Sequence, residues 1–470
     1  MTAPSQQGSV STIPTIPGSR FLGNLSDMRT DRLGFFLRLS RECGPIARFQ
    51  IGKRAVIVLS AAEYVHTVLV EQAANFEKTI QVRANLGPLL GNGLLTSENE
   101  FHRRQRKLVA PAFQHRRVAA YAEIMARYTE EQIAGWADGS TLDIAHEMMR
   151  LTLRIVGKTL FDADVLQEAD DLGAALTTAL QWANGRFATI IRTPANWPTR
   201  ANRRFRAAQG RLDATVYRMI EERRRSGEDR GDLLSMLLAA RDEDDGSFMT
   251  DQQVRDEAMT LFLAGHETTA NALAWTLYSL NGETAVVARL QAEADEVLAG
   301  RTPTFEDLAR LPYALQVFKE GLRLYPPAPM ISRQAQAAFT LGEYHFPAGT
   351  VVVISPYVLH RQPAYFSDPE RFDPERWTMT NEASLPRQAY MPFGGGPRIC
   401  IGNHFAMMEG QLILATLIQR LNLRLLPGQK IVPEPIVTLR PRGAICMAVE
   451  RHGVMHAGTG SRETLPATSV

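Results

Sequence analysis

Between about residues 61 and 311, apolar residues recur at three-to-four spacing, the period of helices that bury one face. The pattern predicts long amphipathic helices over 118–136, 203–225 and 251–280. Thr250-Asp251 is a start signal for the last of these, and Gly282 falls where it should stop. Another helix ends at Leu324, because Pro326-Pro327 follow and a residue before proline is driven out of the helical region. Two short apolar runs, 46–51 and 55–59, flank Gly52-Lys53-Arg54 and predict a β-hairpin. Residues 351–354 read as a further strand, and 363–397 is irregular and proline-rich. The chain is therefore expected to be mainly α with minor β. It shows no repeat, low-complexity block or linker between about 30 and 450, which points to one large domain over 18–451. A flexible segment, 1–17, precedes it, and a disordered polar tail, 452–470, follows.

Composition narrows the function. A chain of 470 residues, 45% hydrophobic and 22% charged, has ample core material. A net charge of +2 without basic–aromatic interleaving argues against nucleic acid. Cys43, Cys400 and Cys446 are too scattered for a disulfide framework or a zinc site, which fits the reducing cytoplasm. The first fifteen residues hold neither a signal-peptide core nor a span, so no membrane anchor is expected.

The chemistry concentrates in Phe393-Gly394-Gly395-Gly396-Pro397-Arg398-Ile399-Cys400-Ile401-Gly402. Glycines let the backbone approach a bulky planar group and adopt turns closed to other residues. Cys400 is expected at a helix start, where free N–H groups and the dipole favour a thiolate. One thiolate presented this way suits the axial position of haem iron. A buried cysteine beside a flexible loop would not explain the Phe, the glycines and the Arg at fixed offsets. On the long helix, Ala264-Gly265-His266-Glu267-Thr268-Thr269 combines small residues, which leave room above a flat cofactor, with an acid beside a hydroxyl, a pair able to relay protons. Gly265 weakens a helix and calls for a reason. Glu320 and Arg323, three apart on a helix, can pair.

These residues resemble the cytochrome P-450 family. The pattern Phe-x-x-Gly-x-Arg-x-Cys-x-Gly is matched at every fixed position, and the likeness covers nearly the whole chain. The resemblance implies the P-450 fold, a helical bundle around haem b with small sheets. Cys400 would be the axial iron ligand, with Phe393, Gly396 and Ala264 against the cofactor. His102, Arg106, Arg333 and Arg398 match the family's contacts to the haem propionates. Thr268 would hydrogen-bond dioxygen in the site while Glu267 feeds protons. Glu320 and Arg323 would join an arginine of the segment Pro369-Glu370-Arg371-Phe372, Arg371 or alternatively Arg376, in a structural lock. His266, His360 and His404 are read as non-ligands.

The implied activity is a haem-thiolate monooxygenase that puts one atom of O2 into a small lipophilic substrate. A monomer is expected, with electrons from a separate ferredoxin or flavodoxin and its reductase, docking at Arg103, Arg104, Lys107, Arg116 and Arg117. Peroxygenases and isomerases of similar build commonly lose the acid–alcohol pair, which this chain keeps; a haem-based gas sensor or carrier is the non-enzymatic alternative. Fatty acid, terpene, steroid-like and macrolide substrates all fit. The pocket is expected from the regions 79–96, 180–198, 262–268, 328–332 and 437–444. Of these, 180–198, with Trp182, Phe187, Ile190, Ile191, Pro194 and Trp197, reads as a mobile lid.

Overall fold

The computed structural model describes residues 13–163, 168–187, 193–241 and 246–452. The hairpin forms as Ile46–Ile51 against Arg54–Leu59, with Ile51 opposite Arg54, so that Gly52-Lys53 is a two-residue turn and Gly52 takes φ +59. Val351–Ile354 adds in parallel to the second hairpin strand, and Ile331–Ala335 and Phe76–Glu77 complete a five-stranded sheet. Apolar side chains cover both of its faces. Phe35, Phe36 and Phe49 meet edge to face on one, and Phe76, Phe339 and Phe346 pack on the other.

The helical part is built around Asp251–Leu280. Thr250 and Gln253 form a capping box at its start, and Gly282, at φ +93, follows its end. The helices Ile144–Phe161, Arg200–Ser226, Pro312–Leu324 and Asn403–Arg420 all pack on it, so it is buried on nearly every side. This packing explains Gly265. A Cβ there would stand 2.9 Å from the Val156 side chain, and in the same crossing Thr152 donates to the His266 carbonyl at 3.0 Å. The glycine lets the two helices approach. Expected helix bounds shift by a few residues: 118–136 forms as His115–Ala134 and 203–225 as Arg200–Ser226.

Both expected ends move. Ile13 and Ile16 are buried, and the Arg48 amide donates to the Pro14 carbonyl at 2.9 Å, so 13–17 belongs to the folded body and not to a flexible segment. His452 is likewise tied, its amide donating to the Arg420 carbonyl at 3.0 Å. The rest of the expected flexible start and tail, 1–12 and 453–470, lies outside the described residues. In the expected lid, Trp182 stacks on Phe205 at 3.8 Å and donates to Asn202 at 2.8 Å, which is helix-pair packing. Residues 188–192 lie outside the described residues, and Trp197 is exposed.

One buried lock joins the helices to the irregular region. Glu320 and Arg323 are wholly buried and bond twice, each at 2.8 Å. Arg323 also donates to the carbonyls of His360, Pro369 and Arg371. The Asp373 amide and the Trp377 indole donate to Glu320. The second arginine that pairs with Glu320 is Arg376, at 3.4 Å; Arg371, the other candidate, is exposed and contributes its carbonyl alone.

Candidate active site

The loop 393–402 is held by its backbone. Gly394 and Gly396 lie at φ +75 and +65, and a Cβ on Gly396 would overlap the Leu69 carbonyl. The Cys400 amide donates to the Phe393 carbonyl at 2.9 Å and closes the turn. The following helix begins at Asn403, so Cys400 stands in the loop and not in the first helical turn. Its surface is accessible while dense protein surrounds it, which places it in a recess. That burial raises its thiol above the ordinary range, opposed by the Gly402 amide and by Arg106. The chain alone therefore does not favour a thiolate here, contrary to the dipole argument. A bound metal would, since a coordinating thiol is deprotonated outright.

Cations crowd beside this loop. Glu98 is the carboxylate at their centre. It pairs with Arg398 and, at 3.5 Å, with Lys78; both cations also donate to the Ser97 carbonyl. Arg333 donates to the Ser332 carbonyl and Arg106 to the Ile399 carbonyl, each within 3.0 Å. Burial lowers Lys78 to about 7 and Arg333 to about 10, with Arg398 lowering both further against Glu98. His102 falls to about 3, first by burial and then by the fields of Arg398, Lys78, Arg106 and Arg333. Four cations face Glu98 with Glu77 further off, a surplus of partly buried positive charge that suits a ligand bearing two carboxylates. The residues thus fit haem, whose propionates supply that charge.

On the long helix, burial is continuous from Val254 to Leu263 and breaks at Ala264, which is exposed, and at Gly265 and Thr268, which are half-buried. The Thr268 hydroxyl donates to the Ala264 carbonyl at 2.8 Å. Glu267 turns away from this face. Its Oε1 accepts Arg440 Nε at 2.7 Å and the Thr438 hydroxyl, while Oε2 has no protein partner. Arg440 also donates to Thr177, and the Trp275 indole donates to the Leu439 carbonyl at 2.9 Å, so the late hairpin Pro433–Pro435/Leu439–Pro441 is fastened to the long helix.

The three histidines set aside as non-ligands are placed as follows. His266 and His360 are buried, each with Nδ1 at a backbone carbonyl, and His404 is exposed on the next helix. Among the described residues no group of three or more His, Cys, Asp or Glu could hold a metal. Sequence reasoning missed Lys78, Glu98, Thr438 and Arg440. Lys78 precedes Thr79, whose hydroxyl meets Ser332 at 3.1 Å, but none of the four stands in a motif whose spacing marks it.

Residues 14–447 match the family described as cytochrome P-450. The chain is 42% identical over 398 residues to cyclooctatin synthase of Streptomyces melanosporofaciens, covering 84% of this chain and 86% of that protein. It is 39% identical over 424 residues to cyclooctat-9-en-7-ol 5-monooxygenase of the same organism, covering 89% and 91%. With pentalenene oxygenase of Streptomyces avermitilis it shares 34% over 429 residues, covering 90% and 94%. Likeness of that extent settles the family: this chain belongs to the cytochrome P-450s, as a haem-thiolate monooxygenase whose cofactor is haem b.

Proposed function

We propose that this cytochrome P-450 hydroxylates a cyclic, unsaturated terpene, as hydrocarbon or alcohol, with Glu267 and Thr268 handling protons. The observation that carries the reading is the opening of the long helix at Ala264 and Thr268, in the middle of a stretch buried on either side. Relatives named for cyclooctat-9-en-7-ol and for pentalenene support the substrate class. So do the large apolar side chains Ile80, Leu95 and Trp197, exposed within the segments expected to line the pocket.

Haem, when bound, supplies reductive activation of dioxygen, and its thiolate ligand favours O–O cleavage. Cys400 is the group that would ligate it, and Lys78, His102, Arg106, Arg333 and Arg398 would hold its propionates. The Thr268 hydroxyl is held by Ala264; on releasing that carbonyl it can donate to dioxygen and take a proton in turn. Glu267 keeps one oxygen on Arg440 and Thr438 and has Oε2 to offer to water. Electrons come from a separate ferredoxin or flavodoxin with its reductase, steered by Arg103, Arg104, Lys107, Arg116 and Arg117. The enzyme works as a monomer in the cytoplasm; no helix among the described residues is long and apolar enough to cross a membrane.

Thr268→Ala is the test. The variant should keep consuming NAD(P)H while product per NAD(P)H falls about tenfold. A coupling ratio equal to the parent's would remove Thr268 from the relay. Terpene hydrocarbons and alcohols should shift the Soret band on binding; a response confined to small hydrophilic compounds would end the substrate reading.

A further inference from the structure

The long helix carries a second buried acid that the mechanism leaves unused. Glu257 is 1% exposed; its Oε2 accepts the Leu94 amide at 3.0 Å, and its Oε1 meets no protein donor. One turn on, the Thr260 hydroxyl, 3% exposed, has no protein partner either. Buried polar atoms that the chain leaves unpaired are commonly bridged by water. The loop 91–98 closes over both, since a Cβ on Gly93 would run into the Thr260 hydroxyl and one on Gly91 into Asp256. Helix geometry aligns these groups with the open face: at about 100° per residue, Glu257, Ala264 and Thr268 fall within about 40° of one another, with Thr260 beside them. The rise per residue separates Glu257 from Thr268 by about 16 Å, a distance for relayed transfer and not for contact.

We propose that Glu257 is a proton reserve for the site, a neutral carboxylic acid that releases its proton through Thr260 and water along this face to Thr268. The proton leaves Oε1, a carboxylate remains, and no electrons move. Solvent restores the proton at the rim where the Asn92 amide and Gln252 both bond Asp256. Burial raises the Glu257 carboxyl to about 7, with the Leu94 amide opposing and Asp256 adding. On its own helix Arg255 is turned to Asp213 and Asp256; on the helix Ile80–Leu90 the one charged residue, Arg83, faces Glu77. The helix Leu233–Ala239 carries no charge.

The proposal rests on the reading of Thr268 given above, and its test separates the two. Infrared spectra of the holoenzyme should carry a protonated-carboxyl band that fades as pH rises through about 7. Glu257→Gln should lack that band, which distinguishes it from the band of Glu409, a wholly buried acid on the helix Asn403–Arg420 whose carboxyl burial also raises. In Glu257→Gln, whose amide oxygen still accepts Leu94, product per NAD(P)H should fall about tenfold, and likewise in Thr260→Val. Glu257→Asp should recover part of the ratio. If Glu257→Gln fails to take up haem, Thr260→Val decides by the same ratio. Unchanged coupling in these variants, beside a lowered ratio in Thr268→Ala, overturns the reserve and leaves the Thr268 reading standing. Absence of the titrating band overturns it as well.

Discussion

His360 shows how far a single side chain can be read. It is fully buried, its Nδ1 facing the Arg323 carbonyl at 3.1 Å and its Nε2 accepting the Met391 amide at 2.9 Å. Burial is the main cause that lowers its pKa to about 3. Between about 3 and 6.5 the unfolded chain therefore holds a proton that the folded chain refuses, and stability must fall as pH drops through that window. The imidazole signals of His360 should keep their neutral position down to about pH 4; a charged ring at pH 6 would contradict this placement. At this scale the sequence was readable where a backbone demand selects a residue type. Gly396 is such a case, because its positive φ and the nearby Leu69 carbonyl exclude a side chain. It was unreadable where a partner arrives from far along the chain, as Arg440 does to Glu267.

Among elements, the lock of helix Pro312–Leu324 makes a comparison between two arginines. Arg376 reaches Glu320, whereas Arg371 points to solvent and offers a carbonyl that any residue has. Arg371→Ala should stay within about 0.5 kcal/mol of the parent in chemical denaturation. Arg376→Ala, which strips a cation from a buried carboxylate, should cost about 1–3 kcal/mol. Equal costs would mean that the pairing is wrong. The E-x-x-R pair was legible because residues three apart share a helix face. The choice of third partner was not, because it depends on the turn in which the Arg371 amide bonds the Asp368 carbonyl, with Asp368 at φ +43. Helix periodicity likewise revealed Asp251–Leu280 to the residue but hid why it contains a glycine, since the answer, Val156, lies on another helix.

For the molecule as a whole, the surplus of cations around Glu98 ties cofactor capture to proton uptake. Lys78, lowered to about 7, is partly neutral at pH 7.5, and two incoming carboxylates would return its proton. Cys400 loses a proton on ligation, so the informative quantity is the difference from Lys78→Met, in which that uptake is gone. Calorimetry of haem binding to the apoprotein in buffers of different ionisation enthalpy should find more protons released by Lys78→Met than by the parent at pH 7.5. Equal release would place Lys78 outside the anion site. Arg333 and Arg398 were readable through the family's motifs, but Lys78 and Glu98 were not, because the cluster joins residues as far apart as Glu98 and Arg398, 300 positions. The pair Glu267–Arg440 shares that feature, its partners standing 173 residues apart. A ribosome adding about 5–20 residues per second needs roughly 10–35 s to travel between them. For that interval the glutamate has been made and its arginine has not, so closure of the late hairpin over the long helix waits until Arg440 has been added.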